Sequence, residues 1–287
     1  MGAMHAGHST MRLGIDSYMY HLHFGKHSDF ENPDPVDVWW FLEEAARLGL
    51  DGVQIDPFHL PTDEVDKIAD FVRQHGLYVE HSMGTIRTDV VKENLALARR
   101  LGAKVMRCFV GGEFERDAEA HQAKLSRAVT ELRRCVEAAD RAEVTIAIEN
   151  HGDIRADGLI RIMDELRHER VGVCFDVGNT LAVGDDPVEA CRLVGRHIVA
   201  THFSDRQQMQ ARGRTFNVGV ALGEGEIDLA GALEVIRTHA RTGTNITLEV
   251  PFAAHGSVAD SLRHEREGVE RSVRYAREVL RIGHESE

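Results

Sequence analysis

Residues 144–149 read VTIAIE and residues 171–176 read VGVCFD. Each is a short apolar run that divides into two faces, because successive side chains of a strand point to opposite sides. Val144, Ile146 and Ile148 form a branched apolar face, and Thr145, Ala147 and Glu149 form a small or polar one. The second stretch repeats the division, with Val171, Val173 and Phe175 set against Gly172, Cys174 and Asp176. A bulky apolar face suits packing beneath helices. A small face that ends in a carboxylate suits a narrow barrel interior opening at the C-terminal ends of its strands.

Outward from these two runs, strand-like and helix-like periodicities alternate along the chain. The other strand candidates are RLGIDSY (12–18), GVQID (52–56), LYVEHS (77–82), KVMRCF (104–109), IVATHF (198–203) and NITLEV (245–250). Helices are expected to begin near Val36, Asp63, Asp89, Asp117, Ala156, Pro187, Asp228 and Val258. Eight strands, each followed by a helix, predict a parallel α/β sheet closed into a (β/α)8 TIM barrel, a single domain over residues 12–287. The rival is an open doubly wound sheet, which normally places a glycine-rich turn after its first strand. Here that turn reads SYMYHLHFGK (17–26). Residues 1–11 read as a disordered start or a tag remnant, so His5 and His8 are set aside.

Composition narrows the partners. Hydrophobic residues at 43% and charged residues at 28% give an ordinary globular balance, with no sign of disorder. A formal net charge of −13 argues against nucleic acid or an anionic membrane, both of which are bound by neutralising phosphate. No run of about 18 apolar residues and no signal pattern is present, so no membrane span is expected. Cys108, Cys135, Cys174 and Cys191 show no CxxC spacing, which points to a reduced, cytoplasmic setting. A homo-oligomer is left open.

Four strand ends carry the chemistry. In NITLEV, Thr247 and Glu249 oppose Ile246, Leu248 and Val250, so Glu249 joins Glu149 and Asp176 on the inward face. His202 ends the seventh strand in phase with Ile198 and Ala200, and alternation alone leaves its direction undecided. A single strand-end carboxylate serves equally well as a helix cap or an ion-pair partner. Three carboxylates and an imidazole at four successive strand ends would repel one another, and a divalent cation is the simplest resolution. Mostly oxygen ligands with one nitrogen favour Mn²⁺ or Mg²⁺, with Co²⁺ and Zn²⁺ as competitors.

Other residues are candidates for substrate contact. Arg107 interrupts an apolar strand, and a guanidinium there needs an anion, either an internal carboxylate such as Asp56 or Glu80 or an acidic substrate. His151, two residues after Glu149, is a candidate pocket group or a loop histidine. Asp56 and His81 stand at strand ends where sugar hydroxyls would bind, although the opposite face of the third strand would bring Glu80 inward instead. Tyr18, Tyr20, His21 and His23 would wall the pocket or pack on the first helix.

The segments IAIEN (146–150), CFDVGN (174–179), THFSD (201–205) and TLEVP (247–251) resemble the metal-bearing strand ends of the xylose-isomerase-like, or AP-endonuclease-2-type, TIM barrels. The resemblance runs from about Arg12 to Arg281, and LGEGEID (222–228) is similar to the family's entry to its seventh helix. It implies that Glu149 and Glu249 serve both as metal ligands and as an acid/base pair. The expected activity is a sugar isomerase or epimerase acting through an enediolate on a small keto sugar or sugar derivative. The alternative is a metal-dependent lyase, a decarboxylase or dehydratase of an oxo-sugar acid. An AP-endonuclease-like DNA enzyme fits the acidic balance poorly. A metal-free binding protein on the same fold is a fourth reading. Ketose 3-epimerases carry His three residues after the metal-binding Asp; here Asn179 stands there, an amide in place of a proton-carrying imidazole and a further candidate for substrate contact.

Overall fold

The two-faced strands close on themselves. A computed structural model describes residues 11–25, 30–211 and 214–283. The expected free start, with His5 and His8, lies outside the described residues apart from Met11. Eight parallel strands form a closed barrel in the order β1-β10-β7-β6-β5-β4-β3-β2. They are β1 (Leu13–Asp16), β2 (Gly52–Ile55), β3 (Tyr78–Thr85), β4 (Val105–Phe109), β5 (Thr145–Glu149), β6 (Val171–Asp176), β7 (Ile198–Phe203) and β10 (Ile246–Leu248). Each coincides with one of the expected strands.

The main helices α2 (Val38–Arg47), α3 (Val65–Gln74), α4 (Thr88–Leu101), α5 (Ala118–Arg133), α7 (Ala156–Leu166), α9 (Pro187–Val194), α10 (Leu229–His239) and α11 (Val258–Glu278) start within two residues of the expected positions. Local chemistry explains why. Asp37, Asp117, Asp186 and Asp228 each accept a backbone N–H of the first turn, Pro187 sits in the first turn of α9, and Ser257 and Asp260 form a reciprocal capping box. Short helices α1 (His21–Phe24), α6 (Val136–Ala142) and α8 (Thr180–Val183) are additional.

The apolar faces behave as their phase requires. Val144, Ile146, Ile148, Val171, Val173 and Phe175 join the large core between barrel and helices, whereas Ala147, Cys174, Val199 and Ala200 form a separate small cluster. Lower in the barrel, the Tyr78 ring occupies the space beside Gly52, where a Cβ would lie 2.2 Å from it. The direction of His202 is decided by a register shift. Val173 pairs with Ile198, but Cys174 pairs with Ala200, so Val199 is an extra residue. Ile198 consequently joins the outer core and Ala200 the inner cluster.

One feature departs from expectation. Between β7 and α10 the chain forms an antiparallel hairpin, β8 (Asp205–Ala211) and β9 (Arg214–Val220). In it Gln207, Gln208, Met209 and Phe216 are all exposed. Nothing there imposes the hydrophobic alternation by which a strand is recognised. All four cysteines are buried and unpaired. Among the described residues no helix is long and apolar enough to cross a membrane.

Candidate metal centre

The ends of β5, β6 and β7 and the residue after β10 bring Glu149, Asp176, His202 and Glu249 together. One ligand atom from each lies within 4.8 Å of the others. Glu149, Asp176 and His202 are 0% exposed and Glu249 is 9% exposed, so the cluster sits in the barrel with one side open to the mouth.

His202 is oriented from behind. Its Nε2 lies 2.7 Å from Gln54 Oε1, while the Gln54 amide donates to Glu80 Oε2 at 2.9 Å. A carboxylate accepts only, so the Gln54 oxygen must face the imidazole and Nε2 must carry the proton. The other ring nitrogen, Nδ1, then faces Glu149 Oε1 at 3.3 Å and Glu249 Oε2 at 3.2 Å. This outward bracing of one ring nitrogen is what a metal-ligating histidine requires of the other.

Asp176 is pinned on one oxygen only. Its Oδ1 accepts from the backbone N–H groups of Gly178 (2.7 Å) and Asn179 (2.9 Å) and from Ser204 Oγ (3.0 Å). Its Oδ2 is buried with no partner among the described residues. A buried orphan oxygen beside two further carboxylates is costly, and a cation is the partner that the donor set fits. Gly178 permits the turn, because a Cβ there would lie 2.3 Å from Ser204 Oγ.

The charges are mutually adjusted. Burial, then Glu249 and Glu149, push Asp176 up to about 6. Burial also raises Glu149, but the Arg107 guanidinium and His202 outweigh it and hold the carboxyl well below its ordinary range. Burial opposes charge on His202, yet Cys174, Glu249 and Glu149 draw it well above an ordinary histidine.

The two oxygens of Glu149 differ. Arg107 grips Oε2, whereas Oε1 faces His202 and accepts from Asn179 Nδ2 at 3.1 Å. Arg107 also donates to Ser82 Oγ at 3.1 Å and lies over the Phe109 ring. It therefore has an internal partner, but that partner is Glu149, not Asp56 or Glu80. Glu80 points inward to Gln54 and Asn245.

The remaining candidates separate. Asn179 joins the site, held between Glu149 and Arg206, whose Nη2 donates to Asn179 Oδ1 at 3.2 Å. Asp56 stands near the mouth, its Oδ1 accepting from Phe58 N at 2.9 Å. His151 is exposed and stacked on Phe109, with ring centroids 4.2 Å apart. The expectation for His81 is corrected. Glu80 takes the inward phase of β3, so His81 turns to the helix layer, 0% exposed and 2.7 Å from Asn94 of α4. Tyr18 stacks on His21, while His23 pairs with Glu265 of α11 and Tyr20 bonds Glu44 of α2.

Three contributors escaped the sequence reading. Asp16 and Gln54 end inward faces of β1 and β2, and the alternation that marked Glu149 would have found them. Burial and Glu249 raise the Asp16 carboxyl well above its ordinary range. Arg206 carried no signal, because it belongs to the hairpin. Its Nε is buried without a partner among the described residues.

A family model described as xylose isomerase-like TIM barrel matches residues 42–279. The 3-oxo-isoapionate decarboxylase of Pectobacterium atrosepticum is 23% identical over 273 residues, covering 92% of this chain and 94% of the relative. Among solved structures, the IOLI protein with a bound zinc atom superposes with a TM-score of 0.74 at 16% identity, covering 94% of this chain and 98% of the other. The D-psicose 3-epimerase of Clostridium cellulolyticum H10 gives 0.70 at 15% identity, with 94% and 99% covered.

Proposed function

Because the chain belongs to the xylose isomerase-like TIM-barrel family, we propose that Glu149, Asp176, His202 and Glu249 hold one divalent cation, Mn²⁺ or Mg²⁺, in an enzyme that decarboxylates a small oxo-sugar acid. A cation held there would supply an electrophile for a substrate carbonyl and its neighbouring hydroxyl, offsetting the negative charge that develops on oxygen.

The observation that carries this reading is the commitment of both Glu149 oxygens, Oε2 to Arg107 and Oε1 to the ligand cluster. A carboxylate so held is a poor proton acceptor. Epimerisation needs a base on each face of the carbon, whereas decarboxylation needs none to begin: the bond to the carboxylate carbon breaks, CO₂ leaves, and the electron pair passes to the carbonyl. One group must then return a proton to carbon. Glu249 Oε2 faces His202, while its Oε1 has no partner among the described residues. Burial raises its carboxyl, but His202 holds it below the ordinary range, so its role would be to relay to carbon a proton taken from water at the mouth. Arg206, with a buried and unpartnered Nε, is suited to orient the acid group. The Arg107 guanidinium, already occupied, no longer argues for an acidic substrate. The decarboxylase relative, aligned over nearly its whole length, supports the same class.

A neutral keto-sugar isomerase or epimerase is the second reading. What favours it is the placement of Glu149 and Glu249 at 3.3 and 3.2 Å from the same His202 nitrogen, two carboxylates about one centre. The test is to incubate Mn²⁺-loaded protein in D₂O with oxo-sugar acids and with neutral keto sugars. CO₂ release from an acid, abolished by EDTA and lowered roughly a hundredfold or more in Glu249→Gln, is expected. Deuterium uptake into a neutral sugar with no CO₂ from any acid would replace this reading with the second.

A further inference from the structure

The opposite end of the barrel carries a separate cluster. A cavity of about 530 Å³ opens at the N-terminal ends of β6 and β7, lined in part by Arg167, His168, Arg196, His197 and Arg241. The acids lining it are Asp164 and Glu169. The chain has 47 acidic against 34 basic residues, so a recess with three guanidiniums and two imidazoles against two carboxylates runs counter to its overall balance.

Hydrogen-bond accounting leaves donors over. Arg241 is fixed by the Glu169 and Val171 carbonyls at 2.8 and 2.9 Å. Arg196 spends Nε on His197 Nε2 at 3.0 Å, and Arg167 spends Nε on the Asp164 carbonyl at 2.9 Å. The terminal nitrogens of Arg167 and Arg196 have no acceptor among the described residues. His197, receiving a proton at Nε2, must carry its own on Nδ1, another donor with no acceptor among those residues. Burial, then Arg196 and Arg241, lower the His197 pKa, as expected in a positive field.

Arg167 ends α7 in the left-handed region, with φ +46°, as Glu143 does at the end of α6 with φ +56°.

We infer that this recess is a second ligand site, for a small, multiply charged oxyanion bearing phosphate or carboxylate groups. Two guanidiniums with open forks match the paired oxygens of such groups, and the volume admits a small organic anion. The site lies at the barrel end away from the metal cluster, so the inference does not depend on the reaction performed there.

The test is calorimetric titration of the whole protein at low ionic strength with inorganic phosphate, glycerol phosphate and malonate. Expected is a saturable binding event that is weakened at least tenfold in the Arg167→Gln/Arg196→Gln double variant and persists in Arg206→Gln. Both substituted arginines are exposed, so the fold is expected to survive, with circular dichroism as the check. Tighter binding of the phosphates than of malonate would mark a phosphoryl ligand, and the reverse a carboxylate. Unsaturable heats with all three anions, equal affinity in the double variant, or loss of binding in Arg206→Gln would overturn the inference.

Discussion

Arg107 and Glu149 form a pair whose removal from one side is expensive. Both are buried, and among the described residues Glu149 has no other cationic side chain bonded to it except His202. Arg107→Met is expected to lower stability by about 3–5 kcal/mol, because the carboxylate stays in the barrel without its counter-charge. Saturating Mn²⁺ should recover most of that loss by supplying charge to the same carboxylate. Thermal unfolding of the variant with and without metal measures both, and an undiminished loss in saturating Mn²⁺ would reduce Arg107 to a packing role. The need for an internal or substrate anion was legible from one guanidinium in an apolar strand. Its identity was not. Arg107 pairs in register with Ala147, and Glu149 stands two residues further along β5 opposite Phe109. The long guanidinium reaches it along the strand, a geometry that alternation does not encode.

The hairpin β8–β9 and the loop after it depend on one carboxylate. Asp205 is 1% exposed and accepts from the backbone N–H groups of Gly223 and Gly225 (2.9 Å each), Ile227 (3.3 Å) and Arg206 (2.9 Å). It ties the base of the hairpin to the LGEGEID turn, and thereby fixes the root of Arg206. Asp205→Asn replaces one acceptor oxygen by a donor facing those N–H groups, at an expected cost of about 1.5–3 kcal/mol. Hydrogen exchange and limited proteolysis should report faster opening of residues 205–227 while the barrel strands stay protected. Uniform loss of protection over the whole barrel would show that Asp205 supports the global fold instead. At this scale the helices were readable because their caps are local, whereas the hairpin escaped because exposed neighbours such as Gln207, Gln208 and Met209 break the hydrophobic alternation.

Across the whole molecule, the candidate metal cluster joins four strand ends spread from residue 149 to residue 249, so a cation bound there would be coupled to closure of this side of the barrel. A cation at about a thousandfold excess over its dissociation constant should add roughly 4 kcal/mol of stability. The expected result is a rise in unfolding temperature with Mn²⁺ that EDTA reverses and that Asp176→Asn largely removes. No metal-dependent shift in the unsubstituted protein would sink the metal assignment.

The amino-acid order alone determined the eight barrel strands, their parallel closure, the starts of the main helices and the inward direction of Glu149, Asp176 and Glu249. Those features follow from periods of 2 and 3.6 residues and from side chains that cap their own backbone, all within a few positions of one another. The tertiary structure decided what depends on distance between strands. The extra residue at Val199 turned His202 inward, and the phase of β3 placed Glu80 inside and His81 outside. Gln54 became the brace of His202, and Arg107 the partner of Glu149. Each of these rests on register between neighbouring strands and on the reach of long side chains across the barrel, which are set only when the sheet closes.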